Sequence, residues 1–258
     1  MTEIADAFRN GKAFVAFVTC GDPDLETTKS VIRSLQDNGA DLIELGIPFS
    51  DPTAEGPVIQ AANTRALSGG VTTDSIFSML EEMRGDIRVP MVFMTYANVV
   101  FSYGTERFVK RCKELGIKGL ILPDVPYEER EDFAPACEKE GLALISMVAP
   151  TSSDRISMIS RQAKGFIYLV SSLGVTGTRS EITTDIGAIT AIIRQNTSTP
   201  VAVGFGISNP DQARKMAANA DGVIVGSAIV RLLEKHGREA AGPVGEFTRS
   251  MKDAIRDL

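Results

Sequence analysis

One histidine, three cysteines, no excess of basic residues and no long apolar run set the first limits on this 258-residue chain. A Ser-His-Asp triad, a His-rich zinc site and imidazole acid-base chemistry all need histidines that it hardly supplies. The single one, His236 in Leu232-Leu233-Glu234-Lys235-His236-Gly237, reads as the last turn of a helix, where the helix dipole favours it. Cys20, Cys112 and Cys137 are odd in number and widely spaced, which suits reduced thiols rather than a disulfide frame or a metal knuckle. Cys20 ends the first expected strand, but with no histidine nearby to activate it, it reads as a packed small apolar residue. The net charge of −6 and a pI near 5.0 offer no basic surface to a nucleic acid backbone or an anionic membrane. No apolar stretch approaches the roughly 20 residues of a membrane span, and Met1-Thr2-Glu3-Ile4-Ala5-Asp6 carries acids where a signal peptide needs bases. A cytoplasmic protein is expected.

What the chain does have is 43% hydrophobic residues in a repeating arrangement. Short apolar, β-branched runs occupy 13–20, 42–47, 91–96, 119–124, 143–148, 166–171, 201–206 and 222–227. Between them lie helix-forming segments with apolar spacing near 3.6, among them 25–38, 105–115, 128–140, 154–162 and 210–217. Eight βα units in this length imply a single-domain (β/α)8 TIM barrel over residues 1–258, with an extra N-terminal helix at 4–10 plugging its bottom. The runner-up, a doubly wound open sheet, lacks a Gly-rich fingerprint directly after the first strand.

In a barrel all eight strand ends share one face, so the residues there are candidates for chemistry. The richest stretch runs from Glu44 to Pro57, where two carboxylates, Glu44 and Glu55, flank the passage from an apolar strand into a Pro- and Gly-interrupted loop. Taken alone, Glu44 reads as the partner of a buried arginine and Glu55 as loop solvation. No lysine stands at any strand end, which leaves imine chemistry without its nucleophile and proton transfer by carboxylates as the remaining option, with Tyr96 as a polar helper. Glycine-bearing segments follow the last three strands: Gly174-Val175-Thr176-Gly177, Gly204-Phe205-Gly206 and Gly226-Ser227. Barrels bind phosphate in that corner through backbone N–H groups and a helix N-terminus. The polar stretch 172–181 has the length of a lid, or of an ordinary loop.

Phe17-Val18-Thr19-Cys20-Gly21-Asp22-Pro23, residues 44–60, Tyr96-Ala97-Asn98, Pro123-Asp124-Val125-Pro126, Gly174-Val175-Thr176-Gly177 and Gly204-Phe205-Gly206-Ile207-Ser208 resemble the tryptophan synthase alpha chain family from end to end; Glu44-Leu45-Gly46-Ile47-Pro48-Phe49-Ser50-Asp51-Pro52 is the most specific of them. The resemblance implies reversible cleavage of indole-3-glycerol phosphate into indole and glyceraldehyde 3-phosphate. It also implies an alpha2beta2 assembly in which indole passes to a beta chain holding pyridoxal phosphate (PLP), this chain needing no cofactor or metal of its own. Carried over by residue, Glu44 and Glu55 are the catalytic carboxylates. Phe17, Ile59, Tyr96 and Phe205 surround the indole ring, Tyr168 lines the site, and Thr176 is a lid residue ordering the second carboxylate. Gly177, Gly206, Gly226 and Ser227 cradle the phosphate, and Asp51 and Pro52 touch the beta chain. One departure stands out: the family usually has Asp in a Leu-Ala-Asp-Gly-Pro context, whereas this chain has Glu55 in Thr53-Ala54-Glu55-Gly56-Pro57.

Retro-aldol cleavage without an imine or metal requires the indole ring itself to accept electrons. Protonation at C3 by Glu44 meets that need, with Glu55 accepting the ring N–H, and Leu45, Phe49 and Ile59 are expected to supply the apolar setting that raises the pKa of Glu44. Two alternatives share the same residues: a sugar-phosphate isomerase or epimerase on the same barrel, and a weakly active, ligand-sensing partner of the beta chain.

Overall fold

A computed structural model of the chain describes residues 3–171, 185–204 and 206–258. Nine strand segments form one all-parallel sheet: β1 (Ala13–Thr19), β2 (Leu42–Gly46), β3 (Met91–Met94), β4 (Gly119–Ile121), β5 (Ala143–Leu144), β6 (Ser146–Val148), β7 (Ile167–Val170), β8 (Val201–Gly204) and β9 (Gly222–Val225). β5 pairs with β4, and β6 pairs with β7. The two are halves of one strand split at Ile145, whose N–H donates to the Leu120 carbonyl at 2.9 Å. With β1 paired to both β2 and β9, the ring closes, and the eight expected strands form a barrel.

Every residue of β1, β2, β3, β7, β8 and β9 is buried, because a parallel barrel strand has helices on one side and the barrel interior on the other. Alternation then divides the core in two. Val15, Phe17, Leu42, Val92, Met94, Ile121 and Ile224 pack inside the barrel, while Phe14, Ala16, Val18, Ile43, Leu45 and Phe93 meet the surrounding helices. Burying each large side chain contributes roughly 1.5–3 kcal/mol.

Helices Leu25–Asp37, Thr105–Leu115, Ser153–Arg161 and Pro210–Ala217 lie where the apolar spacing puts them. Two expectations change in detail. The segment 128–140 is two elements, a 3-10 helix Tyr127–Asp132 and an α-helix Ala134–Glu140, because Pro135 has no N–H to continue a helical ladder but fits the first turn of a new helix. The N-terminal helix is a single 3-10 stretch, Ile4–Phe8, closed at its start by reciprocal bonds between Glu3 and Asp6. It does plug the bottom: Ile4 and Ala7 join the interior cluster, and the Phe8 ring lies 5.9 Å from that of Phe166, just before β7. Among the described residues no helix is long and apolar enough to cross a membrane.

Candidate active site

β2 delivers Glu44 into the barrel. In register with Phe17 on β1 and Val92 on β3, it points the same way as those apolar side chains and is 1% exposed. Its Oε2 has no hydrogen-bond partner among the described residues. A carboxylate so placed cannot shed its proton cheaply: burial, and then the nearby charge of Glu55, push its pKa from 4.5 up to about 8. No arginine neutralises it, so the bland reading of Glu44 as half of a buried ion pair does not apply among the described residues.

A pocket at the C-terminal ends of the strands is lined by Glu44 together with Phe17, Ile59, Met94, Tyr168, Gly206, Ile207, Ile224, Gly226 and Ser227. Seven of the residues chosen from sequence thus meet in one place. Its free volume is about 30 Å³. Tyr168 lies within the field of Glu44, which adds to burial in raising its hydroxyl pKa. Three glycines make room for the aromatic walls: a Cβ on Gly46 would sit 2.7 Å from the Phe17 ring, one on Gly204 2.5 Å from the Tyr168 hydroxyl, and one on Gly226 3.2 Å from Phe17. Gly226 is the N-cap and Ser227 the first residue of the helix Ser227–His236, and both line the pocket, so the positive dipole end of that helix and its first-turn N–H groups lie at the pocket wall.

Glu55 ends the loop after β2 and is 5% exposed, far from a solvated loop acid. Burial pushes its pKa up to about 7, against the pull of Asn63, whose Nδ2 donates to Oε2 at 2.6 Å. Gly56 and Pro57 then start the helix Pro57–Ser68, with proline in the first turn where its missing N–H does no harm. Arg65 clamps that helix to the loop after β1 through two bonds of 2.8 and 2.9 Å to the buried Asp22 carboxylate. Tyr96, expected beside the indole ring, lies outside the pocket lining. Its ring stacks on Phe49 at 5.2 Å, and its hydroxyl accepts the Ala54 N–H at 3.2 Å, bracing the Glu55 loop.

Leu45 does not supply the apolar setting of Glu44: adjacent strand residues face opposite sides, so it packs among the outer helices. Phe17, Met94 and Ile224 serve in its place. Cys20 is fully buried, and burial pushes its thiol up to about 12, as a packed apolar residue requires. Asp51 is exposed and Pro52 half-buried on the loop leading to Glu55. Thr176, Gly177 and Phe205, with the expected lid at 172–181, lie outside the described residues. Taking the third strand to run on to Tyr96 and the last to end at Gly226 and Ser227 passes over Met94 and Ile224, and the pattern of helix Pro57–Ser68 does not single out Asn63.

A larger cavity of about 410 Å³ lies between the loops after β4 and β6, lined by Leu122, Tyr127, Met147 and Ile159 among others. It contains no carboxylate, and its two arginines are engaged, Arg155 with Glu128 and Arg130 with Gln162. Chemistry rather than size therefore selects the barrel mouth.

The family model described as tryptophan synthase alpha chain matches residues 4–256. The tryptophan synthase alpha chain of Lacticaseibacillus casei is 48% identical over 255 residues, spanning 99% of this chain and 96% of that protein. Among solved structures, the alpha chain of Legionella pneumophila superposes with a TM-score of 0.89 at 33% identity, covering 100% of this chain and 98% of that one. A tryptophan synthase complex from Pyrococcus furiosus gives 0.87 at 31% identity, covering 95% and 99%. The chain belongs to the tryptophan synthase alpha chain family, lyases that cleave indole-3-glycerol phosphate in tryptophan biosynthesis.

Proposed function

We infer that Glu44 and Glu55 carry the cleavage of indole-3-glycerol phosphate in this chain. The observation that supports this most is the buried Glu44 carboxyl, with one oxygen unpartnered among the described residues, in a pocket that the start of a helix also lines. With a pKa of about 8 it is protonated at neutral pH and ready to give its proton to indole C3. The ring then carries positive charge, and its N–H donates to ionised Glu55, whose pKa near 7 makes that form accessible. The Glu44 carboxylate takes the proton of the adjacent side-chain hydroxyl. The carbon-carbon bond breaks as the aldehyde forms, its electron pair returning to the ring to give neutral indole, and Glu44 is protonated again. Phe17, Ile59 and Tyr168 form walls for the flat ring, and Gly206, Gly226 and Ser227 offer main-chain donors to the phosphate. Thr176, Gly177 and Phe205 keep the roles that the resemblance gives them.

The chain acts as one domain over residues 1–258, in the cytoplasm, without a cofactor of its own. Its partner is a PLP-containing beta chain in an alpha2beta2 assembly, met through the loop bearing Asp51 and Pro52; the Pyrococcus furiosus relative was solved as a tryptophan synthase complex. The family match disfavours the isomerase and sensor alternatives. Turnover by the purified chain, with and without a beta chain, tests the assignment. Glu44→Gln is expected to bind substrate and to lose nearly all turnover; an active Glu44→Gln removes Glu44 from the chemistry.

A further inference from the structure

We propose that Asn63 is the positioning residue for the second carboxylate, a buried amide that fixes where Glu55 aims during cleavage. The proposal rests on the acid-base reading above. Glu55 leaves an irregular loop on a side chain with three rotatable bonds, so nothing in the local backbone orients its carboxylate. The backbone itself is pinned, since Gln60 Nε2 donates to the Glu55 carbonyl at 2.7 Å. Among the described residues the side chain is held by Asn63, which donates to its carboxylate at 2.6 Å and is itself only 4% exposed. The neighbours Gln60 and Thr64 on the same helix are exposed, so Asn63 is the turned-in polar residue of its turn. The helix is a firm base, because Arg65, two residues on, is locked to buried Asp22. The grip acts on the carboxylate at the reach of the longer glutamate side chain, Asn63 Nδ2 donating to Oε2 at 2.6 Å. A carboxylate gripped in this way has a defined direction and a preference for its ionised form.

The experiment compares Asn63→Leu, close to isosteric, with wild type in indole-3-glycerol phosphate cleavage, in both the Glu55 and the Glu55→Asp backgrounds. With Glu55 present, kcat is expected to fall about ten- to hundred-fold, the loss of a hydrogen bond to a charged group, with KM changed by less than about two-fold. The rising limb of the pH profile moves to higher pH, because the donor that favours ionised Glu55 is gone. In the Glu55→Asp background the shorter side chain cannot reach Asn63 from the same backbone, and Asn63→Leu has little further effect. Asn63→Asp, equal in shape, serves if the leucine variant does not fold; it places a second buried carboxyl beside Glu55 and moves the same limb up further. Equal losses in the two backgrounds, or an unmoved limb in a folded variant, overturn the positioning role. Glu55→Ala, measured alongside, separates the two ideas: an inactive Glu55→Ala beside a normal Asn63→Leu overturns this proposal alone, whereas an active Glu55→Ala removes the role of Glu55 and the proposal with it.

Discussion

Replacing Glu44 by glutamine tests the site without any substrate, because a buried acid leaves its mark on stability. The folded-state pKa is about 8 against an ordinary value of 4.5, so folding favours the neutral form. The sign follows: the stability that this group contributes is fully present below about pH 4.5 and is lost as pH rises through about 8. At 1.36 kcal/mol per pKa unit, keeping this carboxyl in the fold costs about 3 kcal/mol at pH 7 and about 5 kcal/mol at pH 9 as upper limits, but under about 1 kcal/mol at pH 5. Glutamine is neutral throughout and removes the pH dependence. Its buried amide adds a pH-independent cost of about 1–3 kcal/mol if unpaired, which makes the change with pH the cleaner measurement. Urea titrations of wild type and Glu44→Gln at acidic, neutral and alkaline pH supply it. The variant is expected to gain on wild type by up to about 4 kcal/mol between pH 5 and pH 9. Parallel stability curves for the two proteins over that range would refute the argument that Glu44 is held protonated by burial, and with it the proposed source of the proton for cleavage.

Three further outcomes follow from the same geometry. The pH profile of kcat/KM is expected to be bell-shaped, rising near 7 as Glu55 ionises and falling near 8 as Glu44 loses its proton; a flat profile across that window contradicts the assigned pair. Gly204→Ala drives a methyl group into the Tyr168 ring, and thermal melts should show about 1–3 kcal/mol of destabilisation together with a raised KM; an unchanged variant means the wall of the pocket yields freely. Cys20, Cys112 and Cys137 are buried, and burial raises all three thiols, to about 12 for Cys20 and Cys137. A disulfide reagent at mildly alkaline pH should therefore label none in the native protein and all three after unfolding.

The barrel, the helices between most of its strands, and the position of Glu44 at the end of its strand are legible in the chain's local pattern. These rest on local physics: β-branched runs, 3.6-residue spacing, and glycine or proline where regular structure stops. The alternation within β2 also carried the outward direction of Leu45, once Glu44 is taken to face inward. Tertiary structure alone decided the rest. Whether Tyr96 meets a ligand or braces the Ala54 turn depends on how the loop after β2 folds back over β3, 42 residues away in sequence. That Gly204 serves the ring of Tyr168 depends on the register of β7 against β8, which sets Tyr168 opposite Ala202. That Asn63 grips Glu55 depends on the rotation of one helix about its own axis, fixed by distant partners such as Asp22. A residue's neighbours in the chain set its conformation, but the company its side chain keeps is set by close packing among segments that the sequence holds far apart.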